Sequence, residues 1–155
     1  MNIFFGIVAL IICTTAGYFL GAKYKDRKVF FEDFNAFNNK LLNEISFSQR
    51  SLSEIIKGCG QNDSVFYEII KSGDNLQETV NKKAVFLDDE EKNTLCEYIK
   101  TIGKTDKSTQ ENYLKSTQGL ISEKIKKTSE EYRKYKNLHV KIGFLLGLMV
   151  LVALL

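Results

Sequence analysis

The stretch MNIFFGIVALIICTTAGYFLGA, residues 1–22, contains no charged side chain and opens the sequence. A helix needs about 20 apolar residues to cross roughly 30 Å of hydrocarbon, and this stretch meets that requirement. Cations follow it at once: Lys23, Lys25, Arg27 and Lys28. A cleaved signal peptide usually carries its positive charge before the apolar core. The flanks therefore favour an uncleaved membrane helix over 1–22, with the basic flank in the cytoplasm and the N-terminus outside.

A second apolar stretch, IGFLLGLMVLVALL at 142–155, closes the sequence. As a helix it extends only about 21 Å. Adding Leu138–Val140 makes it long enough, provided that the ammonium of Lys141 reaches the interface. The cations before it again favour a cytoplasmic flank: Arg133, Lys134, Lys136 and Lys141. We predict a second membrane helix over 138–155; the alternative, a helix buried in a soluble core, is disfavoured by two such uninterrupted termini.

Each apolar stretch contains two glycines one helical turn apart. Gly17 and Gly21 lie in the first, and Gly143 and Gly147 lie in the second. Small residues at this spacing let helix backbones approach closely in lipid. We therefore predict that these four glycines are helix-packing positions, either with each other or with partner proteins.

The middle of the sequence, residues 23–141, contains all of the charged residues and no proline. Its apolar residues recur at helical spacing, which predicts one face of a long helix that is interrupted at Ser48: Phe30, Phe34, Phe37, Leu41, Ile45, Leu52 and Ile55. A final long helix is predicted to have a similar inward face: Leu114, Ile121, Ile125, Thr128, Tyr132 and Tyr135. The two long helices are expected to pair antiparallel.

Local signals divide the segment between these helices. Glycines predict helix ends at 58–60, 73 and 103. The residues Asn62–Ser64 are suitable N-caps for a short helix with an apolar face of Val65, Phe66, Ile69 and Ile70. Three pairs predict capping boxes: Asp74 with Gln77, Asp88 with Glu91, and Ser108 with Glu111. The apolar link 84–87 has the composition of a strand but no partner strand.

The sequence therefore predicts an all-α protein. Its N-terminal and C-terminal membrane helices, 1–22 and 138–155, flank a cytoplasmic antiparallel helical bundle over 23–137. Its net charge of +3 does not indicate binding to nucleic acid. The basic residues beside the two apolar stretches are expected to face anionic membrane lipid: Lys23, Arg27, Lys28, Arg133, Lys134 and Lys141.

Patterns typical of catalysis are missing from the sequence. The single histidine, His139, adjoins the membrane and has no serine or cysteine set around it. The cysteines Cys13, Cys59 and Cys96 have no zinc-binding spacing. The glycines at 58 and 60 lack the lysine of a phosphate-binding loop. We expect no enzyme, no metal or other cofactor and no small-molecule substrate.

Several segments together resemble the stage III sporulation protein AB family of endospore-forming bacteria. They are AKYKDR at 22–27, NEISF at 43–47, IGKTDK at 102–107 with Gln110 beyond it, and KIGFLLGL at 141–148. Their order and spacing carry the resemblance, which covers nearly the whole chain. The chain departs from the family at Ser51, where a proline is usual, and at Lys107, where an arginine is common.

The resemblance implies a part in the secretion-like channel between mother cell and forespore. The protein would lie in the mother-cell membrane around the forespore, with a cytoplasmic domain similar to those of type II secretion and type IV pilus platform proteins. The implied partners are other subunits of the channel, including its cytoplasmic ATPase. Gly103, Asp106 and Gln110 match the family's most recognisable segment. It is either a docking corner or simply a turn between two helices, in which Gly103 ends the first helix and Asp106 or Ser108 opens the second.

Two further hypotheses stay open at this point. A regulatory membrane adaptor or sensor would use the helix that continues from the N-terminal anchor to transmit a signal. A membrane enzyme acting through His139 is a weaker third hypothesis. The sequence does not determine the stoichiometry, the partner-binding surface, whether the C-terminal helix spans fully, or whether the two membrane helices pack together.

Overall fold

A computed structural model describes residues 2–47, 52–58, 64–104 and 106–154. This part of the chain is helical and contains no strand, which confirms the all-α prediction. The helices are α1 (Asn2–Phe47), α2 (Leu52–Lys57), α3 (Val65–Lys71), α4 (Leu76–Lys83), α5 (Asp89–Thr101), α6 (Lys107–Tyr135) and α7 (Leu138–Leu154). A 3₁₀ turn over Gly73–Asn75 precedes α4.

The chain divides into two compact units. The helix-pair unit consists of Met1–Lys28 and Lys126–Leu155, and the bundle unit of Val29–Ile125. This division follows packing, whereas the boundaries predicted at 22/23 and 137/138 follow the membrane surface. Those boundaries remain a prediction.

The helix-pair unit exposes most of its large apolar side chains. Phe19 is 74% exposed, and Met149 and Val152 are each 68% exposed. The helical stretches Phe5–Ile45 and Lys107–Ala153 each contain a segment long and apolar enough to cross a membrane. Contiguous apolar surface of this kind is unusual on a soluble monomer and marks a contact with lipid or with protein.

The bundle unit is organised around an aromatic cluster. Phe30, Phe34 and Phe37 project from one face of α1, as their spacing predicts, and all three are buried. Phe66 of α3 lies against them, with its ring centroid 5.2 Å from that of Phe34. Tyr98 of α5 meets Phe34 edge to face at 4.7 Å. Such aromatic pairs contribute about 0.5–1.5 kcal/mol each beyond the burial of their area, so this cluster fixes α3 and α5 on α1.

A buried polar contact joins three helices of the bundle unit. The amide nitrogen of Asn38 in α1 donates to the carbonyl oxygen of Leu114 in α6 at 3.1 Å. The hydroxyl of Tyr98 in α5 donates to the Asn38 carbonyl oxygen at 3.0 Å. Nearby, Gln118 of α6 donates to the side-chain oxygen of Asn39 at 2.7 Å. In the helix-pair unit α1 and α6 run antiparallel, as predicted, because the contact of Tyr24 with Tyr135 is followed along α1 by that of Arg27 with Glu131.

The observed N-termini of the helices contradict two of the three predicted capping boxes. The capping box of Asp88 and Glu91 is confirmed, with both of its hydrogen bonds present. The box predicted for Asp74 and Gln77 is wrong, because the 3₁₀ turn moves the N-cap of α4 to Asn75.

The capping box predicted at Ser108 is also wrong, whereas the alternative start at Asp106 is confirmed. Helix α6 begins at Lys107, so its N-cap is Asp106, two residues before Ser108. Asp106 accepts the hydrogen bonds of the Thr109 backbone amide and the Ser108 hydroxyl. An aspartate ahead of the helix can cap it, so Ser108 lies inside the first turn.

The remaining local predictions have mixed outcomes. Ser64 is the N-cap of α3, but its side chain makes no capping hydrogen bond. Helix α3 ends at Lys71, two residues before Gly73, whose φ is +60°. The link 84–87 forms a turn rather than a strand. The predictions at Ser48, Ser51, Cys59, Gly60, Asn62, Asp63 and Thr105 lie outside the described residues.

Candidate functional site

The glycines of the helix-pair unit line the contact between α1 and α7. All four predicted packing glycines are buried: Gly17, Gly21, Gly143 and Gly147. Gly6 lies against Leu151 and Gly17 against His139, so the contact descends α7 as it ascends α1, and Gly21 lies against Lys136 in the turn before α7. The two apolar helices therefore pack antiparallel, and the four predicted glycines lie in one shared contact.

Two of these contacts mirror each other. A Cβ atom on Gly17 would overlap the carbonyl oxygen of His139 in α7. A Cβ atom on Gly143 would overlap the carbonyl oxygen of Cys13 in α1. In both places a glycine faces the backbone of the partner helix. Backbone atoms, unlike a side chain, cannot move aside by a change of rotamer. Only glycine fits at these two positions with the helices at this distance.

The other glycines are less constrained. A Cβ atom on Gly147 would lie 2.8 Å from the Cα atom of Leu10, which is also backbone. On Gly6 it would lie 2.9 Å from a methyl carbon of Leu151, the end of a flexible side chain. On Gly21 it would lie 3.6 Å from the carbonyl oxygen of Lys136, an ordinary van der Waals distance. Gly21 therefore belongs to the contact without requiring glycine.

An aromatic stack closes one end of the glycine contact. The rings of Tyr24 and Tyr135 stack with centroids 4.8 Å apart. The ring of His139 lies 5.8 Å from each of them, at interplanar angles of 18° and 24°. The Nε2 atom of His139 is buried and has no hydrogen-bond partner among the described residues. The histidine therefore serves here as a packing group between α1, α6 and α7.

The predicted membrane-flanking cations have two kinds of surroundings. Arg27 pairs with Glu131 across α1 and α6 at 3.0 Å, and the ammonium of Lys28 lies 5.8 Å from the ring centroid of Tyr132. The remaining four are exposed: Lys23, Arg133, Lys134 and Lys141. Arg27 and Lys28 thus bind the helices together, while the exposed cations are available to an outside surface.

The predicted turn lies in the bundle unit between α5 and α6. Gly103 has a φ of +81°, a left-handed conformation that favours glycine. A Cβ atom there would lie 3.0 Å from a methyl carbon of Leu52 in α2. Gly103 and Asp106 are exposed, whereas Gln110 is buried. The turn brings Gly103 and Asp106 to the surface and directs Gln110 into the bundle.

Hydrogen bonds hold Asp106 in its charged form. Its carboxylate accepts from Thr109 and from the Ser108 hydroxyl, and these bonds lower its pKa from 3.8 to about 2. Hydrogen bonds to a carboxylate favour the ionised state, and the start of a helix favours negative charge. The capping role accounts for the position of this aspartate, and its exposed carboxylate keeps a negative charge at the surface.

A shallow groove of about 460 Å³ lies near this turn, lined by Leu52, Ile56, Lys57 and Lys71. Its floor is apolar and its lysines are exposed. Among the described residues, no three or more His, Cys, Asp or Glu side chains are close enough together to hold a metal ion.

Sequence reasoning missed three features. Gly6 lies outside the Gly-xxx-Gly spacing, although it is also a small residue on the same helix. The Tyr24–Tyr135–His139 stack joins residues more than a hundred positions apart in sequence, so no local pattern indicates it. Among the described residues of α1, Asn38 is a buried polar residue between buried apolar ones, and this position within an apolar face was the available sequence signal.

Comparison with known proteins gave one match. The family model for stage III sporulation protein AB matches residues 2–155. Neither the curated proteins nor the solved structures gave a match.

Proposed function

The chain belongs to the stage III sporulation protein AB family, and we propose that it acts as a non-enzymatic membrane platform in the channel between mother cell and forespore. Membership in the family implies a role in sporulation. The platform role is our own step beyond that membership.

The observation that carries the proposal is the backbone contact between α1 and α7. Glycines meet partner backbone at Gly17, Gly143 and Gly147, while the large apolar side chains of the same helices point outward. In water the apolar side chains would be expected to fill the contact. In lipid, helix association depends instead on close backbone packing through small residues. This arrangement supports a pair of membrane helices that anchors the protein.

We place the bundle unit in the cytoplasm of the mother cell, beside the membrane around the forespore. The exposed cations of the helix-pair unit support this orientation, because Lys and Arg are enriched on the cytoplasmic side. A cysteine introduced at Val85, which is 69% exposed, tests it. In cells that express the chain without sporulating, a membrane-impermeant maleimide is expected to label this cysteine only after permeabilisation. Labelling of intact cells would contradict the orientation.

The partners that we propose are other subunits of the channel, with the cytoplasmic ATPase among them. The exposed side of the Gly103 turn is the docking surface we favour, since Asp106 offers a fixed negative charge beside it. Replacing Asp106 by asparagine keeps a capping oxygen and removes the charge. Loss of ATPase recovery with Asp106→Asn, in a protein that still folds, would support this surface. Unchanged recovery would contradict it.

The function is tested in the endospore-forming host by deletion of the gene. We expect development to stop after engulfment, with loss of heat-resistant spores. Complementation with Gly21→Ala is expected to restore sporulation, whereas Gly17→Ala is expected to restore it poorly because the added methyl meets backbone. Normal spore counts in the deletion strain would remove the proposal.

A second candidate function is a regulatory adaptor or sensor. It is favoured by α1, which continues without interruption for 46 residues from the apolar stretch into the bundle unit. Recovery of the tagged protein from detergent-solubilised membranes separates the two functions. Channel subunits among the bound proteins support the platform, and a kinase or transcription factor supports the adaptor.

A further inference from the structure

Charge is divided unequally between the two units. The helix-pair unit has 10 Lys or Arg and 3 Asp or Glu, a formal charge of +7. The bundle unit has 12 Lys or Arg and 16 Asp or Glu, a formal charge of −4. The small net charge of the whole chain, +3, therefore conceals a strongly basic unit and an acidic one.

Part of this basic charge forms a narrow band, which we call the basic belt. Its five members are all exposed: Lys23, Lys25, Arg133, Lys134 and Lys136. The Gly21–Lys136 contact marks one edge of the belt, and the Arg27–Glu131 ion pair at 3.0 Å marks the other. From residue 21 to residue 27 a helix rises about 9 Å. Five cations thus lie within a layer less than two helical turns deep.

Aromatic rings hold this layer in place. Lys134 lies 5.3 Å from the ring centroid of Tyr135, and Lys136 lies 5.4 Å from that of Tyr132. Tyr135 stacks in turn on Tyr24 across the helix pair. Tyrosines are enriched where a membrane helix meets the headgroups, because the ring is apolar and the hydroxyl is polar. The belt and its tyrosines together have the composition of a headgroup layer.

On one side of the belt the surface becomes apolar. Exposed apolar side chains begin with Leu138 and Ile142 on α7 and with Phe19 and Tyr18 on α1. A ligand bound at the belt therefore meets positive charge beside hydrocarbon-compatible surface. A phospholipid with a net negative headgroup has this combination of charge and acyl chain, whereas an acidic protein segment would leave the apolar surface uncovered.

We propose that the basic belt binds anionic phospholipid headgroups and selects them over zwitterionic ones. This inference rests on the proposed insertion of the helix pair into a membrane. Each Lys or Arg near an anionic surface strengthens binding by about fivefold. Salt weakens such attraction, because the Debye length shortens from about 10 Å at 0.1 M to about 3 Å at 1 M.

The test uses the full chain reconstituted in phosphatidylcholine vesicles that contain 20% phosphatidylglycerol. Spin-labelled phosphatidylglycerol and spin-labelled phosphatidylcholine are compared by electron paramagnetic resonance, which measures their relative association with the protein. We expect several-fold preference for phosphatidylglycerol at 0.1 M salt, and loss of most of that preference at 1 M salt.

Two charge-matched variants separate the belt from net charge. In the belt variant, five substitutions to glutamine remove the basic belt: Lys23→Gln, Lys25→Gln, Arg133→Gln, Lys134→Gln and Lys136→Gln. In the control variant, five exposed lysines of the bundle unit are replaced: Lys71→Gln, Lys82→Gln, Lys100→Gln, Lys104→Gln and Lys107→Gln. The belt variant is expected to bind both lipids equally, and the control variant is expected to retain the preference.

Resistance to alkaline extraction from the vesicles is measured first. This measurement distinguishes a failure of the membrane platform from a failure of the basic belt. A chain that is extracted contradicts the membrane platform itself. A chain that stays inserted but shows no lipid preference, or a belt variant that keeps the preference, overturns the basic belt alone. Should the belt variant fail to insert, Lys134→Gln with Lys136→Gln alone is expected to lower the preference by at least half, and an unchanged preference would overturn the proposal.

Discussion

The hydroxyl of Tyr98 donates a hydrogen bond of 3.0 Å to the side-chain oxygen of Asn38, and both residues are almost completely buried. Burial raises the pKa of Tyr98 well above its usual value, with a smaller contribution from Tyr113. The hydroxyl therefore stays protonated and remains a donor. The amide nitrogen of Asn38 donates in turn to the carbonyl oxygen of Leu114, so one amide side chain sets the register of α1, α5 and α6.

Removing this hydroxyl is expected to destabilise the protein. Tyr98→Phe leaves the Asn38 oxygen buried without its donor, which costs about 1–3 kcal/mol. Denaturant unfolding of the purified chain in detergent micelles measures the change. The control is Tyr18→Phe, because Tyr18 is 68% exposed and its hydroxyl lies outside the bundle unit. Equal effects of the two substitutions would contradict a structural role for the contact.

The glycine contact of the helix pair gives a sharper comparison. Gly17→Ala forces the backbones of α1 and α7 apart, and overpacking of this kind costs about 1–3 kcal/mol. Gly21→Ala adds the same methyl at an ordinary contact distance, and alanine favours the helix over glycine. Thermal unfolding in detergent is expected to show a lower midpoint for the first variant and an equal or higher one for the second. Equal changes of the unfolding midpoint in the two variants would contradict a backbone contact at Gly17.

The same approach applies at the two left-handed glycines of the bundle unit. A Cβ atom on Gly73 would meet no other atom within 4 Å. Gly73→Ala is therefore expected to cost only the free energy of a left-handed backbone at a residue with a side chain, about 1–2 kcal/mol. Gly103→Ala incurs that cost and also presses on Leu52. In a double-mutant cycle, Leu52→Ala is expected to relieve part of the destabilisation that the contact with Leu52 adds to Gly103→Ala. Strict additivity would mean that Leu52 and position 103 do not interact.

Acid is expected to weaken the start of α6. The pKa of Asp106 is about 2 in the folded chain and 3.8 without its contacts. A carboxyl whose pKa is lowered by folding contributes stability above the unfolded value and loses it as pH falls through the folded value. The contribution is therefore complete above about pH 4 and declines toward pH 2. Asp106→Asn keeps the capping oxygen but does not titrate, so its unfolding curve should change less between pH 4 and pH 2 than that of the wild type. An identical pH profile would contradict the capping contacts.

Much of the bundle unit follows from spacing in the sequence. The apolar face of α1 was predicted through Phe30, Phe34, Phe37 and Leu41, and all four are buried. The capping box at Asp88 was predicted because its two hydrogen bonds form within one turn. The boxes at Asp74 and Ser108 were wrong because a neighbouring turn moved the helix start by one or two residues, which a local motif does not reveal.

The candidate site, too, was predicted only in part from the sequence. Spacing alone singled out the four glycines, since small residues one turn apart mark a packing stripe in any apolar helix. It did not reveal that Gly17 and Gly143 require glycine while Gly21 does not. That difference depends on how far the partner backbone lies from each Cα atom, and this distance depends on residues more than a hundred positions away.

The sequence by itself determined that the chain is helical, that both ends are apolar enough for a membrane, and that basic residues border those ends. These properties arise from residue type and period, which each segment carries on its own. Tertiary structure alone decided which glycines touch backbone, how Asn38 joins three helices, and that five cations form one belt. Those features require side chains from distant segments to meet, and only the packed chain brings them together.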